Sequence, residues 1–152
     1  MSNLITVSDL TIAYPMSDGE IFRALKNISI EVNRGQIVGV VGESGAGKST
    51  IGKTALGLLD ENAIIEGGSI SLEGEKISDL SEAGFSPIRG KRIGYIYQNP
   101  MTALNPVLTI GEQLLETIEA HTDKRGNEAK AYAIELLEQA EVPEAEDRLS
   151  KF

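Results

Sequence analysis

Polar and apolar residues alternate along the first part of the chain, and the pattern turns helical only towards its end. Ile5 and Val7, then Leu10 and Ile12, interleave with polar neighbours, and Ile28, Ile30 and Val32 repeat the same period. A two-residue period predicts half-buried β-strands, because successive side chains on a strand point to opposite faces. Ser17-Asp18-Gly19 predicts a turn between them, and Arg34-Gly35 a second break. Ile37, Val38, Val40 and Val41 then form a nearly continuous apolar run, the pattern of a central parallel strand buried on both faces. Glycines follow at once, and Lys48 to Leu59 predicts a helix with Ile51, Ala55, Leu58 and Leu59 on its apolar side.

Further along, Gly67-Gly68 predicts a turn, and Ile70 and Leu72 a short strand leading to a polar loop near Gly74. Ser86-Pro87 through Arg92 is irregular and basic, and Ile93 to Tyr97 predicts another buried strand. From about Thr109 the period becomes helical: Ile110, Leu114 and Ile118, then Ala129, Ala133, Leu136, Leu137 and Ala140, until Pro143 ends the pattern. The chain therefore reads as a strand-rich front with one glycine-preceded helix, followed by a helical tail. It has no internal repeat and no low-complexity segment.

With 152 residues and 41% hydrophobic content, the chain suits a single folded domain. Cysteine is absent, which excludes a disulfide framework or a thiolate metal site within it and suits a reducing compartment. The opening MSNLITVSDLTIAY lacks the basic and apolar regions of a secretory signal, and no apolar run approaches a membrane span. The net charge is −9, and from Glu112 onward eleven acidic residues face five basic ones. Nucleic acid would be repelled by such a surface, so no nucleic-acid partner is expected, and the acidic tail reads as a solvated helical face.

The chemistry concentrates in Gly42-Glu43-Ser44-Gly45-Ala46-Gly47-Lys48-Ser49, which satisfies G-x-x-x-x-G-K-[ST] at every defined position. Phosphate oxygens must be met by several backbone N–H groups in one concavity, and the angles and close approach this needs favour glycine. The helix that follows presents free N–H groups and the positive end of its dipole to the same anion. Lys48 is expected to reach the β- and γ-phosphates, the Ser49 hydroxyl to ligate Mg²⁺, and Thr50 to add hydrogen bonds at the helix start. At average residue usage a chance match in a chain of this length is on the order of half a percent, so the motif is accepted as a phosphate cradle.

Kinases, GTPases, helicases and transporter ATPases all carry such a loop, and the remaining residues discriminate. The chain resembles the ABC ATPase family over nearly all of its length. Leu10 to Tyr14 is similar to the strand that ends in the family's adenine-stacking aromatic, which would be Tyr14. Arg23 to Ile30 and Arg34 to Ile37 are similar to the family's approach to the phosphate-loop strand. Tyr95-Ile96-Tyr97-Gln98 is similar to the strand that ends in its Q-loop glutamine, so Gln98 would contact Mg²⁺ and the attacking water. An amide oxygen suits a hard cation without adding charge. Asn99-Pro100-Met101-Thr102-Ala103-Leu104-Asn105-Pro106 and the Gly42-Glu43-Ser44-Gly45 form of the loop resemble the peptide and nickel importer branch, with Asn99 where that branch usually has an acidic residue.

The resemblance implies an α/β fold: an incomplete P-loop NTPase core with an antiparallel β strand-rich front and a helical subdomain at the C-terminal end. Residues 1–108 would form the nucleotide-binding core with the Q-loop, and 109–152 the start of the helical subdomain. It implies ATP and Mg²⁺ as cofactors, with Tyr14, Gly42, Glu43, Ser44, Gly45, Ala46, Gly47, Lys48, Ser49 and Thr50 on the nucleotide, and Ser49 and Gln98 on the metal. It implies membrane permease subunits and a second ATP-binding subunit as partners, a solute-binding protein indirectly, and a peripheral place on the cytoplasmic face of the inner membrane. The expected function is to couple ATP to import of peptides or a related small solute. The alternatives are a non-catalytic remnant that at most binds nucleotide, or an ABC ATPase of DNA repair or translation. The family's LSGGQ-type segment, its apolar strand ending in Asp-Glu and its switch histidine are not found, Leu149-Ser150 being followed by Lys151-Phe152. The only histidine, His121, is expected on an exposed helix face. These residues alone are therefore expected to bind nucleotide weakly at best and not to turn it over.

Overall fold

The computed structural model describes residues 3–99 and 103–152. They form two compact units, Met1–Gly94 and Tyr95–Phe152. The first unit is built on a four-stranded antiparallel sheet in the order β2-β1-β3-β4. Its strands are β1 (Asn3–Pro15), β2 (Ile21–Asn33), β3 (Ile64–Leu72) and β4 (Glu75–Lys76), with α1 (Lys48–Ala55) between β2 and β3 and α2 (Glu82–Phe85) after β4.

The two long strands owe their length to bulges. Val7 pairs with Ile30 but Leu10 with Ile28, so β1 carries one extra residue, placed at Asp9 with φ 46°. The extra residue returns Leu10 to the face that Val7 occupies, and both are buried with Ile12, Leu25, Ile70, Leu72, Ile77 and Ile88. Asp9 is held there by Ser29, whose hydroxyl donates to the Asp9 carboxylate and accepts from the Asp9 N–H. Opposite lies Gly68, at φ 79°, where a Cβ would fall 2.3 Å from the Ser8 carbonyl oxygen. The expected Gly67-Gly68 turn is therefore continuous strand inside β3, with Gly68 facing the β1 bulge, because the glycine is needed for close strand approach and not for chain reversal.

Three further expectations are corrected. The run Ile37 to Val41 is not a strand, and Ile37 and Val41 are 98% and 97% exposed. A doubly buried parallel strand takes hydrogen bonds from neighbours on both sides, and among the described residues no strand pairs with it. Ile93 to Tyr97 is likewise not a strand; only an isolated bridge between Arg89 and Ile93 forms, and Ile96 is 94% exposed. The helix expected to reach Leu59 stops at Ala55, since Leu56 caps it and Gly57 turns left-handed at φ 61°. Ile51, Ala55 and Leu59 nevertheless pack on the sheet's core.

The second unit contains α3 (Ile110–His121), α4 (Gly126–Gln139) and α5 (Ala145–Arg148). Thr109 starts α3 with a capping box: its hydroxyl accepts the Glu112 N–H, and the Glu112 carboxylate accepts the Thr109 N–H at 2.7 Å. These hydrogen bonds hold the Glu112 carboxyl below its ordinary pKa, the backbone N–H contributing most and the Thr109 hydroxyl next. Ile118, Ala129, Ala133 and Leu149 make a small core, and Gly111 is required where α3 meets Leu149, whose carbonyl oxygen would lie 2.7 Å from a Cβ.

Candidate functional site

The loop Gly42–Gly47 leads directly into the N-terminus of α1. Gly45 and Gly47 have φ of 83° and 81°, and the Ala46 N–H donates to the Glu43 carbonyl at 3.2 Å, which curls the loop. Gly47 is also pressed against β2. A Cβ there would sit 2.5 Å from the Ala24 carbonyl oxygen and 2.6 Å from Leu25 Cδ2. The loop is thus anchored at its last glycine to a strand whose Leu25 is in the core, while Gly45 turns in open space.

Lys48 folds back over this curl, its ammonium donating to the carbonyls of Gly42 (2.9 Å) and Glu43 (2.7 Å). Both contacts are exposed, so an anion in the loop can share or replace them. The helix start carries no side-chain cap and no acidic residue in its first turn. Its positive end and N–H groups are therefore left to whatever anion enters. Ser49 is exposed beside it, and Thr50 is half-buried with its carbonyl accepting the Thr54 hydroxyl at 2.6 Å. Glu43 and Ser44 are exposed. The arrangement fits a polyphosphate: glycine curvature, an uncapped helix end and one exposed ammonium. A single hydroxyl at Ser49 does not by itself hold Mg²⁺, which needs near-octahedral oxygen ligation completed by phosphate and water. Among the described residues no group of three or more His, Cys, Asp or Glu side chains could hold a metal.

Tyr14 stands near the end of β1, cross-strand from Phe22 and half-buried against the sheet core. Burial pushes its hydroxyl pKa up; the nearby Asp60 carboxylate adds to this and the Lys53 ammonium opposes it. Tyr14 therefore lies close to the residues around the far end of α1 and stays neutral at physiological pH. Gln98 is exposed in the second unit, on a bend rather than at a strand end. The Asn99 to Pro106 resemblance falls partly outside the described residues, which omit 100–102. His121 is exposed at the end of α3.

Ala24 and Leu25, which back the last loop glycine, lie in the Arg23 to Ile30 resemblance, but an apolar pair within a strand looks the same whether or not a loop leans on it. Arg89 was legible only as part of a basic stretch, yet it contacts the far end of α1.

A sequence profile of the family described as ABC transporter matches residues 25–151. The chain is 37% identical over 150 residues to the oligopeptide transport ATP-binding protein AmiE of Streptococcus pneumoniae, covering 98% of this chain and 42% of that protein. It is 39% identical to the probable D,D-dipeptide transport ATP-binding protein DdpD of Escherichia coli, covering 98% and 45%. Among solved structures, the ATP-binding cassette MJ0796, a dimer in a post-hydrolysis state bound to ADP and Pi, superposes with a TM-score of 0.82 at 28% identity, covering 97% of this chain and 60% of that one. The chain thus spans less than half the length of these two relatives.

Proposed function

Because the chain belongs to the ABC transporter family, we propose that it binds ATP through Gly42–Thr50 as part of the ATP-binding subunit of an importer for peptides or a related small solute. The observation that carries this reading is the loop itself. Two left-handed glycines and an uncapped, acid-free helix start converge where the Lys48 ammonium is in hydrogen-bond contact with the loop carbonyls. A triphosphate there would exchange the neutral carbonyl acceptors of Lys48 for anionic phosphate oxygens, so that donor and acceptor would both be charged. Glu43 and Ser44 would contribute backbone N–H groups, Ala46 would do so by releasing its N–H from the Glu43 carbonyl, Ser49 would hold Mg²⁺ with phosphate oxygens, and Tyr14 would stack on the adenine. The metal when bound offsets phosphate charge.

The choice of a peptide importer rests on the printed roles of AmiE and DdpD, and the rest of the assembly on the family. Permease subunits, a second ATP-binding subunit and, indirectly, a solute-binding protein are the partners in this reading. No described helix is long and apolar enough to cross a membrane, so contact with the membrane would run through the permease, at the cytoplasmic face. Residues 1–108 would serve the nucleotide and 109–152 begin the helical subdomain.

Titration calorimetry of the 152-residue chain with ATP, with and without Mg²⁺, tests the reading. Lys48→Ala should weaken ATP binding at least about tenfold, the scale of a lost charge-assisted contact. Equal affinity of the two proteins would refute it. Steady turnover by this polypeptide alone, abolished by Lys48→Ala, would show that its 152 residues suffice for hydrolysis.

A further inference from the structure

The far end of α1 carries a device that phosphate binding does not directly use. Arg89 Nε donates to the Leu56 carbonyl at 2.7 Å and Nη2 to the Gly57 carbonyl at 3.0 Å. The same guanidinium pairs with both carboxylate oxygens of Glu82 and lies 5.2 Å from the centroid of the Phe85 ring. Phe85 fills the space a side chain at Gly57 would need, since a Cβ there would fall 2.3 Å from the ring. The neighbouring carbonyls of Lys53 and Thr54 are met by the N–H groups of Leu56, Gly57 and Leu58. Arg89 thus closes the carbonyl end of α1 with a planar cation, itself fixed by a carboxylate and a ring.

This matters because α1 is a poor helix by its own composition. It has eight residues, Lys-Ser-Thr-Ile-Gly-Lys-Thr-Ala, with Gly52 in the interior and three β-branched residues. Helices this short do not persist in water without help, and glycine and β-branching weaken them further. Its N-terminal turn holds Lys48, Ser49 and Thr50. The negative end of its dipole, about 12 Å from that turn at 1.5 Å per residue, faces the Arg89 guanidinium. A cation at one end and a phosphate at the other stabilise the same short element.

We propose that Arg89 is a positioning residue for the phosphate loop: by holding the Leu56 and Gly57 carbonyls it keeps α1 formed and so raises nucleotide affinity at the opposite end. The inference rests on the phosphate-binding reading of Gly42–Thr50. Coupling of this kind is reciprocal, so bound nucleotide also stabilises the Arg89 contacts.

The test measures the ATP dissociation constant in the presence of Mg²⁺, together with amide hydrogen exchange across residues 48–57. It compares the 152-residue chain with Arg89→Ala, Arg89→Lys, Glu82→Gln and Lys48→Ala. Arg89→Ala should weaken ATP binding about tenfold, the scale of a lost charged contact at a helix end. Its α1 amides should exchange faster without ATP and regain protection at saturating ATP. Arg89→Lys should restore only part of the affinity, because an ammonium cannot meet two carbonyls and a carboxylate in one plane. A folded Arg89→Ala with unchanged affinity, beside a Lys48→Ala that loses it, overturns the inference and leaves the phosphate reading standing. If Lys48→Ala also binds normally, both fall. Should Arg89→Ala not fold, Arg89→Lys and Glu82→Gln decide: unchanged affinity and unchanged α1 exchange in both overturn it.

Discussion

Replacing Gly47 by alanine would separate two reasons why the loop needs glycine. At Gly45 and Gly47 the backbone is left-handed to nearly the same degree, so each alanine pays about 1–2 kcal/mol of conformational strain. Only at Gly47 does the new methyl meet something: the Ala24 carbonyl oxygen at 2.5 Å and Leu25 Cδ2 at 2.6 Å, whereas nothing lies within 4 Å at Gly45. Leu25 is 2% exposed and cannot swing aside, and the Ala24 oxygen belongs to β2. Overpacking adds about 1–3 kcal/mol. Gly47→Ala should therefore cost about 2–5 kcal/mol against about 1–2 for Gly45→Ala. That is a large share of the roughly 5–15 kcal/mol that holds a domain folded. Urea unfolding followed by circular dichroism, with midpoints and slopes compared, reads the difference. If the two variants unfold at the same urea concentration, the close approach to β2 does not exist in solution and the anchoring of the loop is wrong.

Three other perturbations probe an exposed apolar segment, a pH-dependent carboxyl and a helix cap. Ile37→Ser should change stability by less than about 0.5 kcal/mol, because the side chain is almost wholly exposed; a loss of several kcal/mol would mean that this segment is buried in solution. The Glu112 carboxyl titrates below its ordinary range in the folded state, so its support of α3 is complete above the unfolded pKa and fades as the pH falls through the folded one. Acid titration of helicity should show this step, Glu112→Gln should remove it, and an identical step in both proteins would rule it out. Thr109→Ala should cost about 1 kcal/mol of stability, the usual worth of a lost N-cap.

The sequence by itself determined the local features, because each depends on neighbours within a few residues. The loop from Gly42 to Lys48, the alternation in β1 and β2, and the start of α3 near Thr109 follow from glycine tolerance, two-residue periodicity and the change to a helical period. Family membership was legible for the same reason, since its motifs are contiguous. Partner choice between distant segments was not. Ile37 to Val41 has the composition of a doubly buried strand, but a strand needs partners, and among the described residues none lies beside it. Gly68 looked like a turn because a glycine's neighbours do not reveal whether a second strand presses on it. The anchoring of Gly47 on Ala24 and the grip of Arg89 on α1 join residues 23 and 32–33 positions apart. Such contacts are fixed by how elements pack in space, and only the tertiary structure decides that.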